Sequence, residues 1–210
     1  MKWYKQSTSG LSIFSANLNI VIIHYQNNME IYSPSDDSYL LSETLKSYLK
    51  NKHKNIKILD MGSGSGIQAQ TCKDSGFKNV LCADINSEAI KHLKKQGFNS
   101  IKSNLFLNID KKNKFDLIIF NPPYLPEDEK EPEDSKINTT AGKRGYEIVL
   151  KFLKQAKSHL NNNGSILLLF SSFSQPAIIK KQAEDSGYKI KEVSDKKLFF
   201  EELFVYEFRI

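Results

Sequence analysis

Strand-like and helix-like segments alternate along this chain, and their order constrains the fold more than any other feature. From Met29 onward, short runs rich in Ile, Leu and Val alternate with segments whose apolar residues recur at helical spacing. The predicted order is a helix from Ser35 or Asp36 to about Lys50, strand 56–60, helix 67–75, strand 79–83, helix 87–96, a weaker strand near 100–103, strand 115–120, helix 145–160, strand 165–170, helix 175–186 and strands near 188–193 and 203–209. This alternation predicts an α/β fold with helices on both faces of a mainly parallel sheet. No helix separates the last two strands, so we expect them to pair antiparallel.

The composition is that of one ordinary globular domain. The chain has 210 residues, of which 40% are hydrophobic and 26% charged. Its formal net charge of +6 suits acidic partners such as RNA or ribosomes, and is equally typical of a proteome rich in lysine and asparagine. We expect residues 1–28, which precede a second methionine, to be an accessory extension or an artefact of start-site choice. The functional domain is then residues 29–210.

Cysteines, histidines and hydropathy exclude several classes of protein. Cys72 and Cys82 have no zinc or redox spacing, and they fit small buried residues of a protein from a reducing compartment. The histidines are scattered, so we expect no metal. No apolar run approaches the roughly 18 residues of a membrane span, and residues 1–28 lack the order of a secretion signal. We therefore expect a cytoplasmic protein without a membrane partner.

A glycine-rich turn follows the first strand of the alternation. The segment Asp60–Gly66 reads D-M-G-S-G-S-G and leads into the helix predicted from residue 67. Glycine has no Cβ atom, so the backbone can turn sharply there and approach a ligand closely. The spacing differs from the G-x-G-x-x-G of dinucleotide sites, and no lysine follows as in a P-loop. The turn predicts a ligand site of another kind.

An acidic residue, Asp84, ends the second strand. Its carboxylate lies where a ribose diol would donate two hydrogen bonds in a nucleotide-binding fold. Asp84 follows Asp60 by 24 residues (84 minus 60), which is close to the separation of the ribose-binding acid in such folds. A helix cap or a solvated loop residue is the ordinary alternative.

The tetrapeptide Asn121-Pro122-Pro123-Tyr124 follows strand 115–120 directly. Two consecutive prolines cannot extend a β-ladder, so the chain leaves the sheet and fixes a carboxamide at the strand end. A rigid amide and a nearby carbonyl accept hydrogen bonds without titrating, which suits a target with an NH2 group, and the ring of Tyr124 can stack on a flat group. Ligands of open parallel sheets bind beyond the carboxyl ends of the strands. One cleft is therefore expected to collect the glycine turn, Asp84, segment 103–105 and this tetrapeptide.

Taken in order, these motifs resemble the class I S-adenosylmethionine-dependent methyltransferases and, among them, the HemK-related enzymes. The likeness covers about residues 30–210 and rests on Asp60–Gly66, Asp84–Asn86, Asn121–Tyr124 and the opening segment Ile31–Leu41. The opening segment is similar to that of the small archaeal and eukaryotic branch. Members of this family methylate the side-chain amide nitrogen of the glutamine in the Gly-Gly-Gln motif of translation release factors.

The resemblance implies a Rossmann-like sheet of seven strands with an antiparallel C-terminal strand, and residues 29–210 as the methyltransferase domain. It implies that S-adenosylmethionine is held by Ser38, Asp60, Gly62, Gly64, Gly66, Asp84, Ile85, Asn104, Leu105 and Asn121. It places catalysis at Asn121, Pro122 and Tyr124, and substrate binding at the same three residues and Pro123. Two positions depart from the family pattern. Asn104 stands where an acidic residue often contacts adenine, and Ser33 replaces an acidic residue before a proline.

The resemblance also implies partners. The small branch works with a zinc-ribbon activator protein that commonly adds to the edge of the third strand, in addition to the release factor that is its substrate. Near that strand, Phe98, Ile101, Leu105 and Phe106 either supply such a surface or belong to the core. The acidic run within residues 126–145 is either a solvated loop or a lid over a protein substrate.

Three other functions stay open on the sequence. Adenine N6 methylation of RNA or DNA poses the same geometric problem, but base flipping usually needs an added recognition surface. Methylation of a protein lysine requires a base that removes a proton, and we expect none beside Asn121. A catalytically silent cofactor-binding scaffold would keep the fold without needing Asn-Pro-Pro-Tyr.

Overall fold

The computed structural model describes residues 31–124 and 143–210, which belong to one compact unit, Ile31–Ile210. The predictions for residues 1–28 and for the acidic run within 126–145 lie outside the described residues. In chain order the helices and strands are α1 (Asp36–Leu49), β1 (Ile58–Met61), α2 (Ile67–Asp74), β2 (Val80–Asp84), α3 (Ser87–Lys95), β3 (Asn99–Lys102), β4 (Phe115–Phe120), α4 (Glu147–Ala156), β5 (Leu160–Ser171), α5 (Pro176–Asp185), β6 (Lys189–Lys197) and β7 (Glu202–Arg209).

Seven strands form one sheet in the order β3-β2-β1-β4-β5-β7-β6. Strands β1 to β5 run parallel to one another, and β7 runs antiparallel between β5 and β6. This confirms the predicted α/β fold with a mainly parallel sheet of seven strands and an antiparallel C-terminal strand. The position of β7 between β5 and β6 is not predicted, because a short connection indicates only that two strands pair.

Helices cover both faces of the sheet, as predicted. Successive residues of a strand point to opposite faces, so β4 contributes to two apolar cores. Ile118 and Phe120 pack in the core that includes residues of α4 and α5. Leu117 and Ile119 pack in the core that includes residues of α1, α2 and α3. Within the described ranges, no helix is long and apolar enough to cross a membrane.

The start of β5 differs from its prediction, as does the end of α4. The helix ends at Ala156, and the strand begins at Leu160. The run of residues 161–164, Asn-Asn-Asn-Gly, has the composition of a turn. Leu160 nevertheless pairs with Phe115, and the register shifts before the next pair forms. A Cβ atom on Gly164 would lie 2.8 Å from the carbonyl oxygen of Phe115, so these residues form an irregularity within the strand and do not end it.

Strand β3 forms one edge of the described sheet. Two of the apolar residues near it, Leu105 and Phe106, are buried, and the Phe106 ring stacks on Phe152 and His159. Both belong to the core, which was the second of the two predicted roles. Phe98 and Ile101 are partly buried against the two cores.

The order of the strands reverses between β1 and β4, which are neighbours although β2 and β3 come between them along the chain. Met61 pairs with Phe120 at the ends of these strands, so Gly62 and Asn121 leave the sheet side by side. A crevice at such a reversal is the usual place for a ligand in an open α/β sheet.

Candidate active site

A cavity of about 530 Å³ lies at this crevice. Its volume falls within the roughly 300–1,000 Å³ typical of small-molecule sites. The residues predicted as site residues that line it are Ser38, Asp60, Gly62, Gly64, Asp84, Ile85, Asn104, Leu105, Asn121, Pro122, Pro123 and Tyr124. Gly66 is the predicted site residue that does not line it. The structure therefore brings the four sequence motifs to one cavity.

Gly62 and Gly64 form the wall of the cavity beyond β1. Both have a left-handed backbone, with φ of 62° and 49°, which favours glycine. A Cβ atom on Gly62 would also lie 3.1 Å from the ring of Phe120. Side chains at these positions would strain the turn, so glycine lets the backbone form this wall.

Gly66 has a structural role that differs from that of Gly62 and Gly64. It precedes α2 with φ of 85°, and a Cβ atom there would lie 2.8 Å from Cδ2 of Leu93 on α3. Its missing side chain allows the start of α2 to pack against α3. Gly66 therefore shapes the turn through helix packing and not through the cavity wall.

The carboxylate of Asp84 is held by the backbone on both sides. Its Oδ2 accepts a hydrogen bond from the N–H of Gly64 at 2.8 Å, and its Oδ1 accepts one from the N–H of Asn86 at 2.7 Å. Burial raises the pKa of Asp84, and these backbone donors oppose that shift. An ionised carboxylate has about four acceptor positions, so Asp84 can still accept hydrogen bonds from a ligand diol.

The turn after β3 supplies another part of the wall. Leu105 has a left-handed backbone with φ of 50°, which is uncommon for a residue with a branched side chain. The Ser103 hydroxyl holds the turn, since it donates to the carbonyl of Leu105 at 2.6 Å and accepts from the N–H of Asn108 at 3.0 Å. Such locally strained residues concentrate at ligand sites. Asn104 beside it is exposed.

Asp60 is an acidic residue in the interior, with 1% of its surface exposed. Its Oδ2 accepts a hydrogen bond from the N–H of Ala69 at 3.2 Å. Burial raises the pKa of Asp60 to about 7, and hydrogen bonds from Ser63 and Ala69 oppose the shift. A positively charged ligand group nearby would favour its ionised form.

The side-chain amide of Asn121 has a fixed orientation. Its Nδ2 donates a hydrogen bond to Oδ2 of Asp37 at 3.0 Å. A carboxylate accepts hydrogen bonds, so the nitrogen must face Asp37 and the amide oxygen must face away. That oxygen, Oδ1, is buried and has no hydrogen-bond partner among the described residues. A buried acceptor without a donor costs about 1–3 kcal/mol, which indicates that a ligand supplies the donor.

Asp37 is a site residue to which the sequence analysis gave no role. It is 4% exposed and also accepts hydrogen bonds from the hydroxyl of Tyr32 at 3.2 Å and from Ser38. It lies 84 positions from Asn121 along the chain, so no local motif spacing reveals the contact. Its carboxylate corrects the expectation that no potential base lies beside Asn121.

Tyr124 stays a neutral phenol. Its burial, followed by the negative charge of Asp37, raises its pKa. Its carbonyl oxygen accepts a hydrogen bond from the Ser174 hydroxyl at 3.2 Å, which ties the end of the tetrapeptide to the segment after β5. The phenol is therefore suited to packing against a flat group and not to removing a proton.

No group of three or more potential metal ligands occurs in the described residues.

The chain is similar in sequence to known proteins. The sequence model of the methyltransferase small domain family matches residues 35–186. A Methanocaldococcus jannaschii protein, named as a protein N5-glutamine methyltransferase, is 35% identical over 184 residues, which cover 84% of this chain and 90% of that protein. A release factor glutamine methyltransferase of Borreliella burgdorferi is 35% identical over 161 residues, covering 70% of this chain and 55% of that protein. The match therefore spans about half the length of the Borreliella relative.

A solved structure shares the fold. It is a chain from the E. cuniculi Mtq2–Trm112 complex, which methylates the translation termination factor eRF1. Its TM-score is 0.68 at 22% identity, and the match covers 85% of this chain and 97% of that chain. The family match and the M. jannaschii relative confirm the expectation of a methyltransferase related to the HemK enzymes. The chain belongs to the methyltransferase small domain family.

Proposed function

We propose that this protein transfers a methyl group from S-adenosylmethionine to the side-chain amide nitrogen of the Gly-Gly-Gln glutamine in a translation release factor. The observation that carries the proposal is Oδ1 of Asn121, which is buried without a hydrogen-bond partner within residues 31–124 and 143–210 and whose orientation is fixed by Asp37. An acceptor of this kind suits a primary amide, which has two N–H donors. The names of the M. jannaschii and Borreliella relatives support glutamine as the target.

The lining of the cavity fits S-adenosylmethionine, the methyl donor of this family and its structural neighbours. When bound, this cofactor supplies an electrophilic methyl group. We assign the ribose diol to Asp84 and the adenine to Ile85, Asn104 and Leu105. Asn104 has no charge, but its amide oxygen can accept from the adenine amino group.

Ser38 and Asp60 lie at the other end of the cofactor site, and Gly62 and Gly64 form the wall between the two ends. Ser38 adjoins Asp37, which contacts Asn121. This end of the site therefore lies next to the catalytic tetrapeptide. Gly66 contributes indirectly, because it lets α2 start close to α3.

The tetrapeptide would position the target nitrogen. In our proposal, Oδ1 of Asn121 and the carbonyl oxygen of Pro122 accept the two N–H groups of the glutamine amide. An amide nitrogen is a weak nucleophile because its lone pair is delocalised into the carbonyl. Two fixed acceptors turn that lone pair toward the methyl group, which is catalysis by positioning and by preorganised dipoles. Pro123 keeps the backbone rigid, and the neutral ring of Tyr124 packs on the planar amide.

Proton removal needs no strong base in this mechanism. The nitrogen becomes acidic once it carries the methyl group, so its proton passes to water. Asp37 has a positioning role, because its oxygens accept hydrogen bonds from Tyr32, Ser38 and Asn121. The same carboxylate favours protein lysine as the second candidate target, since a lysine ammonium must lose a proton before it can react.

We propose a small activator protein of the zinc-ribbon type as a partner. Support comes from the edge strand β3, whose backbone can pair with an added strand. Leu107, which follows β3, is 79% exposed, and the structural neighbour from E. cuniculi is part of a complex with Trm112. Co-expression with such a protein should raise solubility and activity. Full activity of the purified monomer would contradict the proposed role of the activator.

We further propose residues 29–210 as the methyltransferase domain of a cytoplasmic protein, with residues 1–28 as an accessory extension. The family match over residues 35–186 and the compact unit Ile31–Ile210 support this division.

A transfer assay tests the proposed function. The protein, with its activator supplied, is incubated with S-adenosylmethionine that carries a labelled methyl group. Separate reactions contain a release factor, its Gln-to-Asn and Gln-to-Lys variants at the Gly-Gly-Gln motif, and total tRNA and rRNA. Label on the native release factor alone is the expected result. Label on RNA would favour adenine methylation, and stronger label on the lysine variant would favour a lysine target. If none of these substrates is labelled, a catalytically silent cofactor-binding scaffold is the function that remains.

A further inference from the structure

Gln68 is a second amide whose oxygen has no hydrogen-bond partner among the described residues. It lies in the first turn of α2, lines the cavity and is 4% exposed. Its Nε2 donates a hydrogen bond to the backbone carbonyl of Ser38 at 2.9 Å. A backbone carbonyl only accepts, so the nitrogen must face Ser38. Its Oε1 is then the free end, and it is buried without a hydrogen-bond partner in the part of the chain that the structure describes.

The carboxyl group of Asp60 lies at the start of the same helix. The N–H of Ala69, the next residue in α2, donates to Oδ2 of Asp60, so the Asp60 carboxylate lies beside the same turn of helix. Asp60 also lines the cavity. Asp60 forms no ion pair with a lysine or arginine within the described ranges. An amide oxygen and a buried carboxylate together favour a ligand group that donates N–H bonds and carries positive charge.

The position of Gln68 indicates which part of the ligand carries this positively charged donor group. Ser38 links Gln68 to Asp37 and so to Asn121, at the end of the cavity where we place the methyl transfer. Asp84 and Asn104 belong to the walls beyond β2 and β3, where we place the ribose and adenine donors. The donors of the nucleoside are therefore accounted for, and the remaining donor of the cofactor is the ammonium group of its amino-acid part.

We infer that Gln68 is a cofactor-binding residue whose Oε1, together with the Asp60 carboxylate, accepts hydrogen bonds from the α-ammonium group of S-adenosylmethionine. This assignment rests on the proposed function. It adds a residue that none of the sequence motifs includes. It also explains why the interior holds a glutamine at the start of α2, where an apolar residue would pack without leaving a buried oxygen unpaired.

Calorimetric titration of two ligands tests the inference. One ligand is S-adenosylhomocysteine, and the other is its analogue in which hydrogen replaces the α-ammonium group. In the Gln68→Met variant, we expect affinity for S-adenosylhomocysteine to fall about tenfold, as for loss of a hydrogen bond to a charged group. Affinity for the analogue should change by less than about twofold, because the analogue has no ammonium group that could donate to Gln68.

Gln70 provides the matched control. It lies on the same helix but is exposed, and its Nε2 bonds Asp74 on the surface at 2.6 Å. Gln70→Met should bind both ligands like the wild type. A Gln68→Glu variant keeps an acceptor oxygen, and its protonated carboxyl can donate to the Ser38 carbonyl, so it should retain the preference for S-adenosylhomocysteine over the analogue.

The outcomes separate the two claims. Equal loss of both ligands in Gln68→Met, or no loss of either, would overturn the role of Gln68 and leave the proposed function standing. Loss of the preference in Gln68→Glu would overturn it as well, even if Gln68→Met failed to fold. A folded wild-type protein that binds neither ligand would refute the proposed function and this inference with it.

Discussion

At the scale of single residues, the side-chain amides of Asn121 and Gln68 have fixed orientations in the cleft. Asn121 donates to Asp37, and Gln68 donates to the carbonyl of Ser38. Neither amide can turn over without placing its oxygen against another oxygen. Both acceptor oxygens are therefore oriented before any ligand binds, which lowers the cost of ordering them during binding.

Asp37→Asn should impair catalysis more than binding. An asparagine at position 37 can donate a hydrogen bond to Asn121. The side-chain amide of Asn121 would then turn over and present its Nδ2 to the target in place of its Oδ1. Two donors would then face each other. We expect kcat to fall about a hundredfold, as when one preorganised group of an active site is lost, while KM for the release factor changes by less than about threefold. Steady-state kinetics measure both constants.

The neighbouring residue controls for loss of charge at the start of α1. Asp36 is exposed and pairs on the surface with Lys196 at 2.8 Å, so Asp36→Asn should keep the wild-type kcat. A kcat of Asp37→Asn that equals that of Asp36→Asn would show that the orientation of Asn121 does not depend on Asp37.

At the scale of elements, the glycine turn joins β1 to α2 and serves two purposes. Gly62 and Gly64 form the cavity wall, while Gly66 sets how closely α2 approaches α3. The second purpose concerns stability, because it depends on contacts within the protein and not with a ligand.

Gly66→Ala should therefore destabilise the protein more than Gly97→Ala. Both glycines are left-handed, with φ of 85° and 80°, so each substitution costs about 1–2 kcal/mol of backbone strain. A Cβ atom at Gly97 meets no atom within 4 Å, while one at Gly66 lies 2.8 Å from Leu93. This crowding should add about 1–3 kcal/mol. Urea denaturation measures both variants, and equal destabilisation would contradict the packing role of Gly66.

Periodicity and local motifs predict the elements that depend on neighbouring residues. Strand β4 occurs at the predicted residues, and Asn121 follows it as expected. The start of β5 is not predictable in this way, because an asparagine-rich run forms a turn or a strand depending on whether another strand, here β4 at Phe115, lies within reach. Asp37 and Gln68 escape prediction for the same reason. Their contacts join residues that only the tertiary fold brings together.

At the scale of the whole molecule, buried carboxylates make the ligand-free protein sensitive to pH. Asp60 and Asp84 both have pKa values raised by burial. An acid whose pKa is higher in the folded state binds more protons there than in the unfolded state. Stability then falls as pH rises from the unfolded pKa toward the folded one. For Asp60 this window runs from about 4 to about 7.

Asp60→Asn should reduce this pH dependence. We expect the free energy of unfolding of the ligand-free wild type to fall between pH 5 and pH 8, and that of the variant to fall by less, because asparagine does not ionise. Urea titrations at several pH values measure the difference. Parallel curves for the two proteins would show that Asp60 titrates in the folded state as it does in the unfolded chain.

Mass spectrometry of the methylated release factor tests the central claim most directly, namely that the Asn121 amide positions a glutamine nitrogen for methylation. The wild-type protein, with its activator, should add one methyl group to the side chain of the Gly-Gly-Gln glutamine. Asn121→Ala should lower turnover by about a hundredfold or more while its affinity for S-adenosylhomocysteine stays within about threefold of the wild type. Undiminished turnover by Asn121→Ala, or a methyl group on any other residue, would contradict the account.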